Sequence, residues 1–196
     1  RIALSDLRKT FGVVSASMEQ EITVGLPVET VVEGGCFGTL GVPASVKSTA
    51  QTRARTAETL STLGLTALAQ HDCRTLSSWQ IRRVLIARAL VADPEVLILD
   101  EPCAGLDPEG MHYIRSTMRT IAALGKALIL VTHYPEDIIP EVDRVLLMQN
   151  GHIVADGDKN HLLTDATLSP IFNIPISVAT RTNASGDTFY SLVDWY

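Results

Sequence analysis

Two carboxylates in succession, Asp100 and Glu101, follow the apolar run Val96-Leu-Ile-Leu99 and precede Pro102. The run is too short for a helix and is bounded by Pro94 and Pro102. It reads as a strand buried on both faces, as in the middle of a parallel sheet. In open α/β sheets, ligands bind at the carboxyl ends of the strands. Burying charge there costs several kcal/mol unless a partner or a metal offsets it. The plainer reading is a strand that ends at the surface with two solvated acids. A second continuous apolar run, Ala127 to Val131, leads through Thr132 to His133. Adjacent parallel strands place their carboxyl ends side by side. Asp100, Glu101 and His133 are therefore expected at one edge, where they could hold Mg²⁺ and position a water. A lone His at a strand end is more often only that.

The elements that must position these groups follow from periodicity and breakers. Ser48 to Leu63 reads as a helix with Ala50, Ala54, Ala57 and Leu60 at helical spacing and Gly64 as its stop. Ser77 or Ser78 can cap a second helix carrying Ile81, Val84, Leu85 and Ala89, which Asp93-Pro94 ends. Its arginines, Arg82, Arg83 and Arg88, read as structural or solvated. Asp107 as N-cap and Pro108 as first residue start a third helix, with a stripe at Met111, Ile114, Met118, Ile121 and Leu124 and a stop at Gly125. Asp143 to Met148 is a further strand, and Asn150-Gly151 turns it into His152 to Asp156. Lys159 to Leu163 reads as a short helix, and 174–196 as a small terminal hairpin. Residues 1–47 are the least legible: Ile2-Ala-Leu4 resembles a short strand, Ser5 to Gln20 shows no period, and Val28 to Phe37 reads as a helix start or a loop. The alternation of helices with buried strands predicts a parallel α/β core with right-handed crossovers.

Composition narrows the function. Of 196 residues, 46% are apolar and 19% charged, so the chain is globular and not disordered. A net charge of −6 argues against a nucleic-acid partner held by a basic surface. No apolar run approaches the ~20 residues needed to span a bilayer. Cys36, Cys73 and Cys103 are odd in number and without metal-like spacing, which fits a reducing compartment. The chain opens on Arg1, no signal peptide is visible, and a longer parent protein is expected.

Four segments in order carry a resemblance. Leu76-Ser-Ser-Trp-Gln80 resembles the LSGGQ signature of ABC-type ATPases. Leu97-Ile-Leu-Asp100-Glu101-Pro102 resembles their Walker B strand, Ala104-Gly-Leu-Asp107 their D-loop, and Thr132-His133 their H-loop. Asn150 to Gly157 resembles the hairpin that follows. The match covers about Ser48 to Ile174, and the tail looks most like the ATP-binding subunits of bacterial importers. The resemblance implies a P-loop NTPase-like, mostly parallel sheet with flanking helices and part of the helical signature subdomain. It divides the chain into 1–92 (helical and signature region), 93–173 (RecA-like core) and 174–196 (terminal hairpin).

It further implies ATP and Mg²⁺ as cofactors. Asp100 would hold Mg²⁺ through water, Glu101 would be the general base, and His133 would contact the γ-phosphate. Ser77, Ser78 and Gln80 would approach the γ-phosphate of ATP bound to a second ATPase subunit. Asp107 would reach across that dimer interface. A transmembrane permease would be the other partner, holding the subunit on the cytoplasmic, inner face of the membrane.

Two departures stand out. Gly41 to Ser48 resembles the phosphate loop G-x-x-x-x-G-K-[ST] only with Val46 in place of a glycine. It lies too close ahead of Leu76, with Lys47 its last basic residue, and no good central strand precedes it, so it reads as a decoy. The phosphate-loop strand is thus expected to be missing. In the signature, Ser78 and Trp79 replace two glycines, and the indole of Trp79 stands where backbone would approach phosphate. Loss of one charge-assisted contact there costs about 1.5–3 kcal/mol. The alternative function is a degenerate regulatory subunit that hydrolyses nothing itself.

Overall fold

The computed structural model describes residues 10–193. Packing divides the chain between Val131 and Thr132 into two compact units. This criterion differs from the motif-based division given above.

The first unit is built on three parallel strands in the order β1 (Phe11–Ser15), β2 (Val96–Asp100), β3 (Ala127–Val131). Around them lie helices α1 (Val28–Gly34), α2 (Ala50–Thr62), α3 (Ser78–Leu90) and α4 (Pro108–Ala123). Phe11 stands opposite Val96, which stands opposite Ala127, and the register runs on to Ser15, Asp100 and Val131. β1 falls in the stretch that showed no period, within the region assigned to helices. It is instead a strand of the parallel sheet. Its pairing partner lies some eighty residues away, so no local pattern marks it. The possible strand at Ile2 to Leu4 lies outside the described residues.

Alternate residues of the three strands face opposite sides. Val14, Leu97 and Leu99 are buried, on the side that α3 and α4 cover through their contacts with β1 and β3. A Cβ on Gly12 would press against the Ala89 carbonyl of α3. On the other side Phe11, Val13, Ile129 and Val131 are 40–48% exposed. β2 is therefore not buried on both faces as expected. Leu97 and Leu99 are fully covered, whereas Val96 and Ile98 are only half-covered. An all-parallel sheet is ordinarily covered on both sides; here, among the described residues, one side keeps apolar side chains exposed.

Local chemistry accounts for the helix ends. α2 starts at a reciprocal Thr49–Thr52 box, and its buried residues are Thr56 and Leu60. Ala54 and Ala57 are exposed, so the alanine stripe does not mark the packed face. Glu33 of α1 accepts hydrogen bonds from Ser48 Oγ at 2.6 Å and from Thr52 Oγ1 at 2.5 Å, which ties α1 to the start of α2. α1 lies so close to α3 that a Cβ on Gly35 would fall 1.9 Å from the Arg88 carbonyl oxygen. Gly41 to Ser48 follows a short 3₁₀ turn, Gly35–Phe37, and not a strand. α4 buries Ile114, Met118 and Ile121, leaves Leu124 exposed, and ends at Gly125 with φ +75°.

The second unit holds two antiparallel hairpins and two short helices. β4 (Arg144–Gln149) pairs with β5 (His152–Asp158) through Asn150 and Gly151, both with positive φ, as an Asn-Gly turn demands. Arg144 grips Asp156 across this hairpin with two 2.6 Å bonds. α5 (Lys159–Leu162) and α6 (Asp165–Phe172) lead to β6 (Ser177–Thr182) and β7 (Thr188–Val193). The Glu136 carboxylate accepts the Leu192 N–H at 2.7 Å, which fixes β7 to the turn at Pro135–Asp137. No described helix is long and apolar enough to cross a membrane.

Candidate functional site at the carboxyl ends of β2 and β3

Asp100 is the last residue of β2 and is exposed, in register with Ser15 and Val131. The chain then turns sharply. Glu101 has φ +49°, a left-handed conformation that costs a non-glycine residue roughly 1–2 kcal/mol. Its N–H donates to the Val131 carbonyl at 2.8 Å, and its carbonyl accepts the Ala104 N–H at 3.1 Å. The carboxyl ends of β2 and β3 are thus joined directly by backbone. Local strain of this kind persists only where surrounding structure holds it.

What holds the turn is Arg82. It was read as structural or solvated, and it is 4% exposed. From α3, its Nη1 donates to the Pro102 carbonyl at 2.9 Å and to the Ala104 carbonyl at 2.8 Å. Its Nε donates at 2.6 Å to Glu19, in the 3₁₀ turn Ala16–Glu21 that follows β1, and its Nη2 also pairs with that carboxylate. A signal existed in Arg82 being one of few charges on a largely buried helix, but no sequence pattern named Glu19 as its partner.

α3 begins at the signature segment. Ser77 is its N-cap. The Ser77 hydroxyl accepts the Gln80 N–H at 3.4 Å, and the Gln80 amide oxygen accepts the Ser77 N–H at 2.9 Å. This is a reciprocal capping box. Two of the three side chains expected to approach phosphate, Ser77 and Gln80, are therefore engaged with their own helix. Ser78 is exposed. Ser78 and Trp79 are the first two residues of the helix, whose N–H groups find no acceptor within it, at the end where dipole and free donors favour an anion.

Trp79 packs against α4. Its ring stacks on Tyr113 of α4 with centroids 4.5 Å apart and planes 14° from parallel. The Arg83 guanidinium lies 6.0 Å from the Trp79 ring and 5.6 Å from the Tyr113 ring. Arg83 Nε also donates to Thr117 Oγ1 at 3.1 Å. Burial lowers the Arg83 pKa, with Tyr113 opposing. Arg88 donates to the Thr39 carbonyl at 2.9 Å and is structural as read.

Asp107 caps α4: its Oδ1 accepts the Gly110 N–H at 2.8 Å, and Pro108 follows as the first helical residue. A carboxylate so used is held in one orientation at the helix start. His133 belongs to the second unit, two residues beyond Val131, and is exposed. Beside it, Thr132 Oγ1 accepts the Tyr134 N–H and donates to Asp137 Oδ2, both at 3.0 Å.

No cluster of three or more His, Cys, Asp or Glu suited to a metal occurs among the described residues. Mg²⁺ does not need one. It commonly keeps several waters and takes one or two carboxylates plus substrate phosphates. The exposed Asp100 carboxylate at a strand end fits that role. Cysteine chemistry is not poised here: burial, then Asp72, pushes the Cys73 thiol up to about 11, and burial raises Cys36 as well.

A three-stranded parallel sheet with helices packed on it is an α/β fold, with acids at the carboxyl end of its central strand. The profile of the ABC transporter family matches residues 2–104, and the chain belongs to that family. It is 36% identical over 174 residues to the uncharacterized ABC transporter ATP-binding protein YlmA of Bacillus subtilis, covering 88% of this chain and 65% of that protein. It is also 36% identical to the cobalt import ATP-binding protein CbiO of Rhodobacter capsulatus, covering 85% and 57%. Among solved structures, cbiO1 of Clostridium perfringens, part of the ABC transporter complex cbiONQ, superposes with a TM-score of 0.68 at 29% identity, covering 86% of this chain and 65% of that one. The ADP conformation of MJ1267, an ATP-binding cassette of an ABC transporter, gives 0.70 at 22% identity, covering 83% and 68%, and shows the same fold. The chain thus spans about two thirds or less of the length of these curated relatives.

Proposed function

We propose that this chain is the signature, Walker B, D-loop and H-loop part of an ATP-binding subunit that couples ATP hydrolysis to transport. The observation that carries the reading is the register of Asp100 against Val131. It brings the carboxyl end of β2 next to that of β3, the edge at which open α/β sheets bind ligands, and so supports roles for Asp100 and Glu101 there. In this reading Asp100 holds Mg²⁺ through water, and the ion supplies charge neutralisation at the phosphates. Glu101 accepts the proton of the attacking water, and His133 contacts the γ-phosphate. The open N–H groups at Ser78 and Trp79 face the γ-phosphate of ATP on a second ATPase subunit, with Ser77 and Gln80 shaping that helix start. Asp107 reaches toward the same partner. A permease subunit is the membrane partner, on its cytoplasmic side. The relatives' printed roles include cobalt import and Nod factor export, opposite directions of transport.

The phosphate-binding loop lies, on this reading, outside residues 1–196. Two observations support this: among the described residues, β3 has one hydrogen-bonded neighbouring strand, and one side of its sheet keeps Phe11, Val13, Ile129 and Val131 exposed. Residues 1–196 alone should bind ATP weakly or not at all in a titration with labelled nucleotide. Sub-micromolar binding would overturn this part. In the natural full-length protein, Glu101→Gln should slow turnover by about 10²–10⁴ while ATP binding persists. Unchanged turnover rejects Glu101 as the base.

A second reading, a regulatory subunit that hydrolyses nothing, is favoured by Trp79 in place of a signature glycine. Trp79→Gly in the full-length protein separates the two. A large gain in turnover supports a decayed site. No gain supports an adapted one, in which the indole has been moved onto Tyr113.

A further inference from the structure

We propose that Arg82 is a positioning residue for Glu101, holding from α3 the turn that aims this carboxylate. The inference rests on the reading of Glu101 as general base. Glu101 sits in a left-handed backbone conformation that its own residue type disfavours. On its amino side the Val131 carbonyl holds its N–H. On its carboxyl side its own carbonyl accepts the Ala104 N–H, and the carbonyls of Pro102 and Ala104 are both taken by Nη1 of Arg82. Of these four hydrogen bonds around the strained residue, two come from one side chain.

Only a guanidinium suits this task. It has enough donors, in a rigid fork, to bind two carbonyls with one nitrogen while Nε and Nη2 face a carboxylate. Glu19 is that carboxylate, and it neutralises a charge that would otherwise be buried alone. A general base must stand within hydrogen-bond reach of the proton it takes, and a 1 Å misplacement can cost about a hundredfold in rate. Arg82 touches neither nucleotide nor water in this scheme; it acts through Glu101.

The test uses the natural full-length protein with its partner subunits. Arg82→Lys keeps the charge and loses the fork. It should lower kcat for ATP hydrolysis about 10–100-fold with KM for ATP within about twofold. In a Glu101→Gln background the same substitution should add nothing, because its effect runs through the missing carboxylate. A kcat within twofold of the parent, a loss carried by KM, or a further fall in the Glu101→Gln background would each overturn the inference. Glu19→Gln should act in the same direction, by about 3–10-fold, and carries the same three readouts should Arg82→Lys fail to fold. If Glu101→Gln is slow and Arg82→Lys is not, the inference fails alone. Full turnover in Glu101→Gln removes the base assignment and this inference together.

Discussion

The start of α3 and the turn after β2 meet the same need in opposite ways. On the proposed function both present groups to a nucleotide in a fixed geometry. At the start of α3, Ser77 and Gln80 stand three residues apart and satisfy each other's N–H groups. At the turn after β2, Glu101 is held by Val131, thirty residues on, and by Arg82, which is itself held by Glu19. One device is local and modest in energy. The other is assembled from three distant stretches and contains a buried charge. A buried charge that loses its partner costs far more than a lost cap, so the second device is the more fragile.

That contrast fixes a ranking of substitutions. Glu19→Ala leaves Arg82 buried without its carboxylate and should destabilise the first unit by about 3–5 kcal/mol in urea unfolding. A loss below that of a cap mutant would place the pair in a more polar setting than its burial indicates. Asp107→Ala and Ser77→Ala remove caps and should each cost about 1 kcal/mol. The ratio between these and Glu19→Ala measures how much the long-range device exceeds the local one. Glu101→Gly should stabilise the unit by about 1 kcal/mol while abolishing any base function, since glycine accepts φ +49° freely. Destabilisation instead would show that the Glu101 side chain holds the turn.

The smallest effect belongs to Asp72, a half-buried carboxylate whose pKa is lowered chiefly by its side-chain hydrogen bond with Arg74. Its contribution to stability is present above the ordinary carboxylate pKa of about 4 and is lost as pH falls through the lower folded value. Asp72→Asn should lower stability slightly at neutral pH, flatten the acid limb of the stability curve, and leave stability unchanged below the folded value, as pH-dependent urea unfolding would show.

What the sequence showed follows the same line between local and distant. Ser77 as a cap, Asp107-Pro108, Gly125 and Asn150-Gly151 are all short-range signals, and each sits where the local rule places it. The strand at Ala127 to Val131 and the terminal hairpin were likewise legible from runs and turns. β1 was not, because Phe11-Gly-Val-Val becomes a strand only by pairing with β2. The alanines of α2 misled because small side chains are tolerated on either face; the buried positions are Thr56 and Leu60. Trp79 was foreseen as an obstruction at the helix start. Its stacking on Tyr113 depends on α4 lying alongside, which no spacing in α3 encodes.

The uncovered side of the three-stranded sheet has a practical consequence. Phe11, Val13, Ile129 and Val131 form a greasy patch on a flat surface, the kind that adsorbs dyes, resins and other copies of itself. Residues 1–196 handled alone should light up a hydrophobic fluorophore and run large on a sizing column. Charged replacements at Val13 and Ile129 should make them behave as a single small particle.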